Sequence, residues 1–126
     1  MITRIFLAVV ALVFLAFGVW SLTTPLEMTS QLGVDVSGPN GAFEMAGIYG
    51  GVSLGAAALT AAGAVLARMA RPALWFLVAY MGGYIFARVT GWILHGAPTS
   101  DFYAFIAFEA ATLAGSAGLL TVRKGA

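Results

Sequence analysis

"ARVTGWILHGAPTSDFYAFIAFEAAT" (87–112) decides the fold. It reads as two apolar helical runs joined by "GAPTS", a link short enough to make its flanking helices antiparallel neighbours. Each run carries one charge inside it. Arg88 lies seven residues before His95, about 10 Å from the end of its helix at a rise of about 1.5 Å per residue. Glu109 lies eight residues after Asp101, about 12 Å into the next helix on the same rise. Opposite charges therefore stand at one level on facing helices. An isolated charge at a bilayer centre costs roughly 2.5–3.5 kcal/mol on insertion scales. The stretch predicts an Arg88–Glu109 pair inside a membrane bundle, in its outer half.

The rest of the chain agrees. Of 126 residues, 61% are apolar and 9% charged, against roughly 45–50% and 25% in soluble domains. Mean hydropathy is +0.97. Ile5–Leu26 is uncharged over 22 residues and Met45–Ala67 over 23, and about 20 apolar residues cross the hydrocarbon core as a helix. The runs lack the alternation of a membrane strand. The expectation is an all-α, antiparallel four-helix integral membrane bundle, one domain over 1–126, with helices near 3–23, 42–67, 72–95 and 101–122. A net charge of +1 argues against a nucleic-acid partner, which calls for a basic stripe. With no cysteine and one histidine, thiol chemistry and multi-histidine metal sites are excluded, and neither a metal nor a cofactor is expected.

The charges sort by side. Arg4, Arg68, Arg71, Arg123 and Lys124 fall on one face of four spans, and Glu27, Asp35 and Asp101 on the other. The positive-inside rule then places both termini in the cytoplasm of a bacterial inner membrane. Arg4 followed by "IFLAVVALVFLAFGVW" resembles a signal peptide, but "VWS" (19–21) is a mediocre cleavage site and the helix is read as retained. In the first outer loop, "TTPLEMTSQLG" reads as a short interfacial helix, with Thr24 as cap, Pro25 at the first helical position, Glu27 as capping-box acid and Gly33 as stop. "SGPNG" (37–41) reads as a turn before the second span, and "RMAR" (68–71) as the link to the third.

Gly47, Gly51 and Gly55 recur every fourth residue, with Ala58 and Ala62 beside them, and Ala107, Ala111 and Gly115 form a similar ladder. Small residues at this spacing let helices approach closely. Helical faces also extend the charged pair into a cluster. Tyr84, Trp92 and His95 share the face of Arg88; Phe105, Thr112 and Ser116 share that of Glu109. Glu44 opens the second span and Tyr49 lies at a depth similar to Arg88. Glu44, Tyr49, Tyr84, Arg88, His95 and Glu109 are thus candidates for one outward-facing polar pocket, with Trp92 and Phe105 in its walls. Plainer readings stand beside this one: a helix-dipole role for Glu44, a register-fixing ion pair for Arg88 and Glu109, and interfacial positions for His95 and the aromatics.

"NGAFEMAGIYGG" (40–51), "ARVTGWILHGAP" (87–98) and the mid-helix Glu109 resemble domain of unknown function 4345, a family of small bacterial membrane proteins with four helices. The resemblance covers nearly the whole chain and implies that fold. It singles out Glu44, Tyr49, Gly50, Gly51, Arg88, Gly91, Gly96 and Glu109, departs at Ala46, where many members carry arginine, and implies no activity.

Three functions fit this reading. The first is a membrane-embedded binder of a lipid or other apolar small molecule, with Arg88 at its polar head and Tyr84, Trp92 and Phe105 along its body. The second is an isomerase-like acid–base enzyme on a lipid or isoprenoid, drawing on Glu109, Glu44 or His95, since two acids sharing one arginine leave one without a full partner. The third is an accessory subunit of a membrane complex. Membrane lipids are partners in every case, and a second copy of the chain or another membrane protein stays open.

Overall fold

The structure, a computed structural model, describes residues 1–122; Arg123 and Lys124, assigned above to the cytoplasmic face, lie outside the described residues. Helix α1 (Ile2–Thr23) is followed by the short α2 (Pro25–Gln31) and by α3 (Gly38–Met45). A π-helical segment (Ala46–Gly51) joins α3 to α4 (Val52–Val65). Helix α5 (Ala67–His95) and a 3-10 turn (Ser100–Phe102) lead to α6 (Tyr103–Thr121). The described residues form no strand. Four helical stretches, Ile2–Thr23, Gly38–Val65, Ala67–His95 and Ser100–Thr121, are long and apolar enough to cross a membrane.

Two connections differ from their sequence reading. "SGPNG" is no turn: Ser37 is the extended residue before the helix and Pro39 sits in its first turn, where a fixed φ and a missing N–H are harmless. "RMAR" is no link either. The break between α4 and α5 is Leu66 alone, extended at φ −111° and ψ 112°, so Arg68 and Arg71 lie in the opening turns of α5. The short helix α2 is present, but Thr24 does not cap it with its side chain. Its hydroxyl instead donates back to the Trp20 carbonyl of α1 at 3.1 Å. At the other end, Gly33 takes φ +73°, its N–H bonds to Ser30 O and that of Val34 to Thr29 O, both at 3.0 Å. This paired closure needs a left-handed residue that glycine supplies without strain.

Helices α1 and α4 pack closely, α4 meets α5, and α5 meets α6, while α1 touches α6 only sparsely. The four long helices thus make a ring that is loose on one side. Leu7, Val10, Phe14, Ala56, Ala73, Leu74, Leu77 and Met81 form the buried core. Of the anticipated glycines, Gly115 does meet a neighbouring helix closely, a Cβ there lying 2.7 Å from the Phe6 ring, but on the second stretch close approach falls to other positions. A Cβ on Gly50 would lie 3.0 Å from the Leu22 backbone, and one on Gly63 2.7 Å from Ala73 Cβ. Among the described residues nothing stands within 4 Å of such an atom on Gly47 or Gly55. The inward face of α4 is the one bearing Ser53, Ala56, Ala57, Thr60 and Gly63, so the Gly47–Gly51–Gly55 stripe faces outward. At the end bearing Arg68 and Arg71, Arg4 closes the C-terminus of α4: its Nε donates to Ala64 O at 2.8 Å and its Nη2 to Val65 O at 2.7 Å. A cation there also meets the negative end of the helix dipole.

Candidate functional site

Arg88 and Glu109 meet as the depth argument requires. Arg88 Nε donates to Oε1 at 2.9 Å and Nη2 to Oε2 at 2.7 Å. This fork-to-fork arrangement is the strongest geometry available to the two groups. The side chain of Glu109 is 6% exposed and that of Arg88 28%. The guanidinium carbon also lies 5.4 Å from the ring centre of Tyr84 and 5.5 Å from that of Phe102, within the range of cation–π attraction. Helix α5 positions Tyr84 four residues before Arg88, one turn away on the same face. The 3-10 turn at the start of α6 brings Phe102 to the charged group.

The pair forms one wall of a cavity of about 440 Å³. The other walls come from all four long helices. Phe14, Phe17 and Trp20 line it from α1, Tyr49 and Ser53 from the second stretch, Tyr80, Met81 and Tyr84 from α5, and Phe105 and Phe108 from α6. Leu32, just after α2, lines it too, so the connection between α1 and α3 contributes to one end of it. The sparse contact between α1 and α6 is bridged by aromatic edges: Phe17 meets Phe105 at 5.2 Å between ring centres and Phe14 meets Phe108 at 5.8 Å. Val13, Ala16 and Ala104, which also line the cavity, are exposed on that side of the bundle. The mouth therefore lies between α1 and α6, on the flank that lipid would cover in a membrane.

Polar groups at the walls are few. Two buried hydroxyls elsewhere return their proton to the helix, Thr60 to Ala56 O at 2.8 Å and Ser116 to Thr112 O at 2.6 Å, a common way for such a group to be satisfied, whereas buried Ser21 Oγ has no partner among the described residues. Ser53 is buried too, lines the cavity, and makes no such bond among the described residues. Tyr49 stands in the π segment, where one extra residue per turn shifts the helix face; such segments recur at functional sites. It packs edge-on to Phe17 at 6.0 Å.

Five of the residues proposed from sequence are brought together: Tyr49, Tyr84, Arg88, Phe105 and Glu109 all line this cavity. Three are not. Glu44 is exposed, apart from the cavity, and lies in the second turn of α3 rather than the first, because the helix starts at Gly38. The dipole reading of Glu44 fails for the same reason. His95 is exposed in the last turn of α5. Trp92 is 48% exposed and lines a separate groove of about 180 Å³ on the far side of Arg88, with Gly91, Gly96 and Phe102. Sequence reasoning missed the share of α1. Phe14 and Phe17 sit in a run with no polar residue to mark which face turns inward, and only their spacing of three hinted at a common side.

A scan against protein-family models matches residues 2–119 to the family described as Domain of unknown function (DUF4345). No curated protein and no solved structure matches the chain.

Proposed function

The chain belongs to the DUF4345 family, and because that description carries no activity, we propose from the site itself that it is a membrane protein binding a lipid or other apolar small molecule between its helices. Its four long helices span the bilayer, in a bacterial inner membrane, with both termini in the cytoplasm. The segregation of Arg4, Arg68 and Arg71 from Glu27, Asp35 and Asp101 supports that orientation.

One observation carries the binding reading: an aromatic cavity of about 440 Å³ that has a bidentate ion pair in its wall. Ligand pockets have this size, an apolar lining and a few convergent polar groups. An ion pair serving architecture alone needs no cavity beside it. The acid–base reading has less support. Both oxygens of Glu109 are held by Arg88, and Glu44 and His95 stand apart from the cavity.

Trp20 at the cavity wall provides the test. In a Trp75→Phe/Trp92→Phe background, Trp20 is the remaining tryptophan of three. A long-chain ester brominated at mid-chain is expected to quench it saturably. Ala16→Phe, which adds a ring at the mouth, is expected to weaken that quenching about tenfold with unchanged thermal unfolding. Quenching that rises linearly with probe and is equal in both proteins contradicts the reading.

A further inference from the structure

The charge state of the wall specifies the head group of the ligand. We infer that the cavity selects a neutral amphiphile whose head accepts hydrogen bonds through a carbonyl, and rejects anionic heads; this rests on the binding reading above. A guanidinium carries five N–H donors. Glu109 takes two of them. The remaining three, two on Nη1 and one on Nη2, bond to no other described residue, while the Tyr84 and Phe102 rings pack against the group. The unused donors are therefore confined to the guanidinium edge, and Arg88 lines the cavity. Ser53 adds a hydroxyl that has no partner among the described residues. The few polar groups of the wall thus include free donors on Arg88 and Ser53.

The wall is also neutral. Arg88 and Glu109 cancel, and the rest of the lining carries no formal charge. A carboxylate, sulfonate or phosphate entering beside the pair would set two anions around one cation. The surroundings are aromatic and apolar, and an uncompensated charge is strongly disfavoured there. A carbonyl oxygen accepts the same N–H groups and brings no net charge. Its apolar body lies along Phe17 and Phe105. An arginine in an apolar pocket would ordinarily suggest an anion, but here its charge partner is built into the protein.

Matched long-chain probes brominated at mid-chain test this with Trp20 quenching in the Trp75→Phe/Trp92→Phe background. One carries a methyl ester head, one a sulfonate that is charged at every working pH, and one no head. The expected order is ester tightest, by about tenfold over the sulfonate and severalfold over the headless chain. Glu109→Gln, which removes the built-in anion and leaves Arg88 in place, is expected to reverse the preference toward the sulfonate. Wild-type protein binding the sulfonate as tightly as the ester overturns the selection of a neutral head while leaving the binding reading intact. Equal binding of ester and headless chain overturns the role of the donors. No saturable binding of any probe overturns both. The head-group comparison uses wild-type contacts only, so it holds even where Glu109→Gln lowers the yield of folded protein.

Discussion

Breaking the Arg88–Glu109 pair from its two sides should have unequal consequences. Replacing Arg88 by Met strands a carboxylate whose side chain is 6% exposed. Removing one partner of a buried pair costs about 3–5 kcal/mol. Access to the cavity relieves part of this, so Arg88→Met should destabilise by about 3 kcal/mol. Glu109→Gln strands a cation that is 28% exposed and keeps Tyr84 and Phe102 beside it. The amide oxygen of Gln still accepts one of its bonds. The loss should be about 1 kcal/mol. The double variant removes both charges and should also lie about 1 kcal/mol below wild type, since a polar or apolar replacement for a whole pair is close to neutral. The coupling energy is then about 3 kcal/mol, within the range for residues in contact. Reversible unfolding in mixed micelles, followed by helical circular dichroism, measures all four corners of the cycle. Additive single losses, or a Glu109→Gln loss as large as that of Arg88→Met, would refute the reasoning.

The remaining predictions concern packing and orientation. Gly63→Ala puts a methyl 2.7 Å from Ala73 Cβ and should destabilise by about 1–3 kcal/mol. Gly55→Ala meets nothing within 4 Å among the described residues and should be neutral or stabilising by up to about 1 kcal/mol; the same unfolding assay compares them. Arg4→Ala removes two bonds to the end of α4 and should lower stability by about 1 kcal/mol, seen as a reduced unfolding midpoint. Because the chain has no cysteine, single cysteines report sidedness cleanly. Ser37→Cys should react with an impermeant maleimide from the periplasmic side, and Ala67→Cys only after the membrane is opened.

The parts of the fold set by large energies were readable from residues alone. Uncharged runs of 22 and 23 residues announce long apolar helices because charges in hydrocarbon are so costly, and that cost brings Arg88 to Glu109 across two helices. What escaped was set by small differences. The second long stretch, the π segment together with α4, has glycine on more than one face, and periodicity does not choose between Gly47–Gly51–Gly55 and the face of Gly50 and Gly63. The polar residues Ser53 and Thr60 decide it by turning inward. The π segment changes the hydrogen-bond register by one residue and leaves no pattern beyond a wealth of glycine, so Tyr49 was legible from its depth but the device that turns it inward was not. In α1 nearly every side chain is apolar, and a helix hydrophobic all round gives no contrast between its faces; Phe14 and Phe17 therefore emerged as cavity walls only in three dimensions. Glu44 was misjudged through Pro39, which starts the helix early and moves the acid out of the first turn.

A cavity beside Arg88 and Glu109 that holds a small molecule should keep it through gentle extraction. Native mass spectrometry of protein extracted with its own membrane lipids tests it most directly, with wild type beside the Arg88→Met/Glu109→Gln double variant, whose stability should be nearly that of wild type. Wild type should retain one small molecule of defined mass, neutral and apolar, that is lost or strongly depleted in the variant. Wild-type protein that is bare, or that carries only bulk phospholipid at the level seen in the variant, would contradict it.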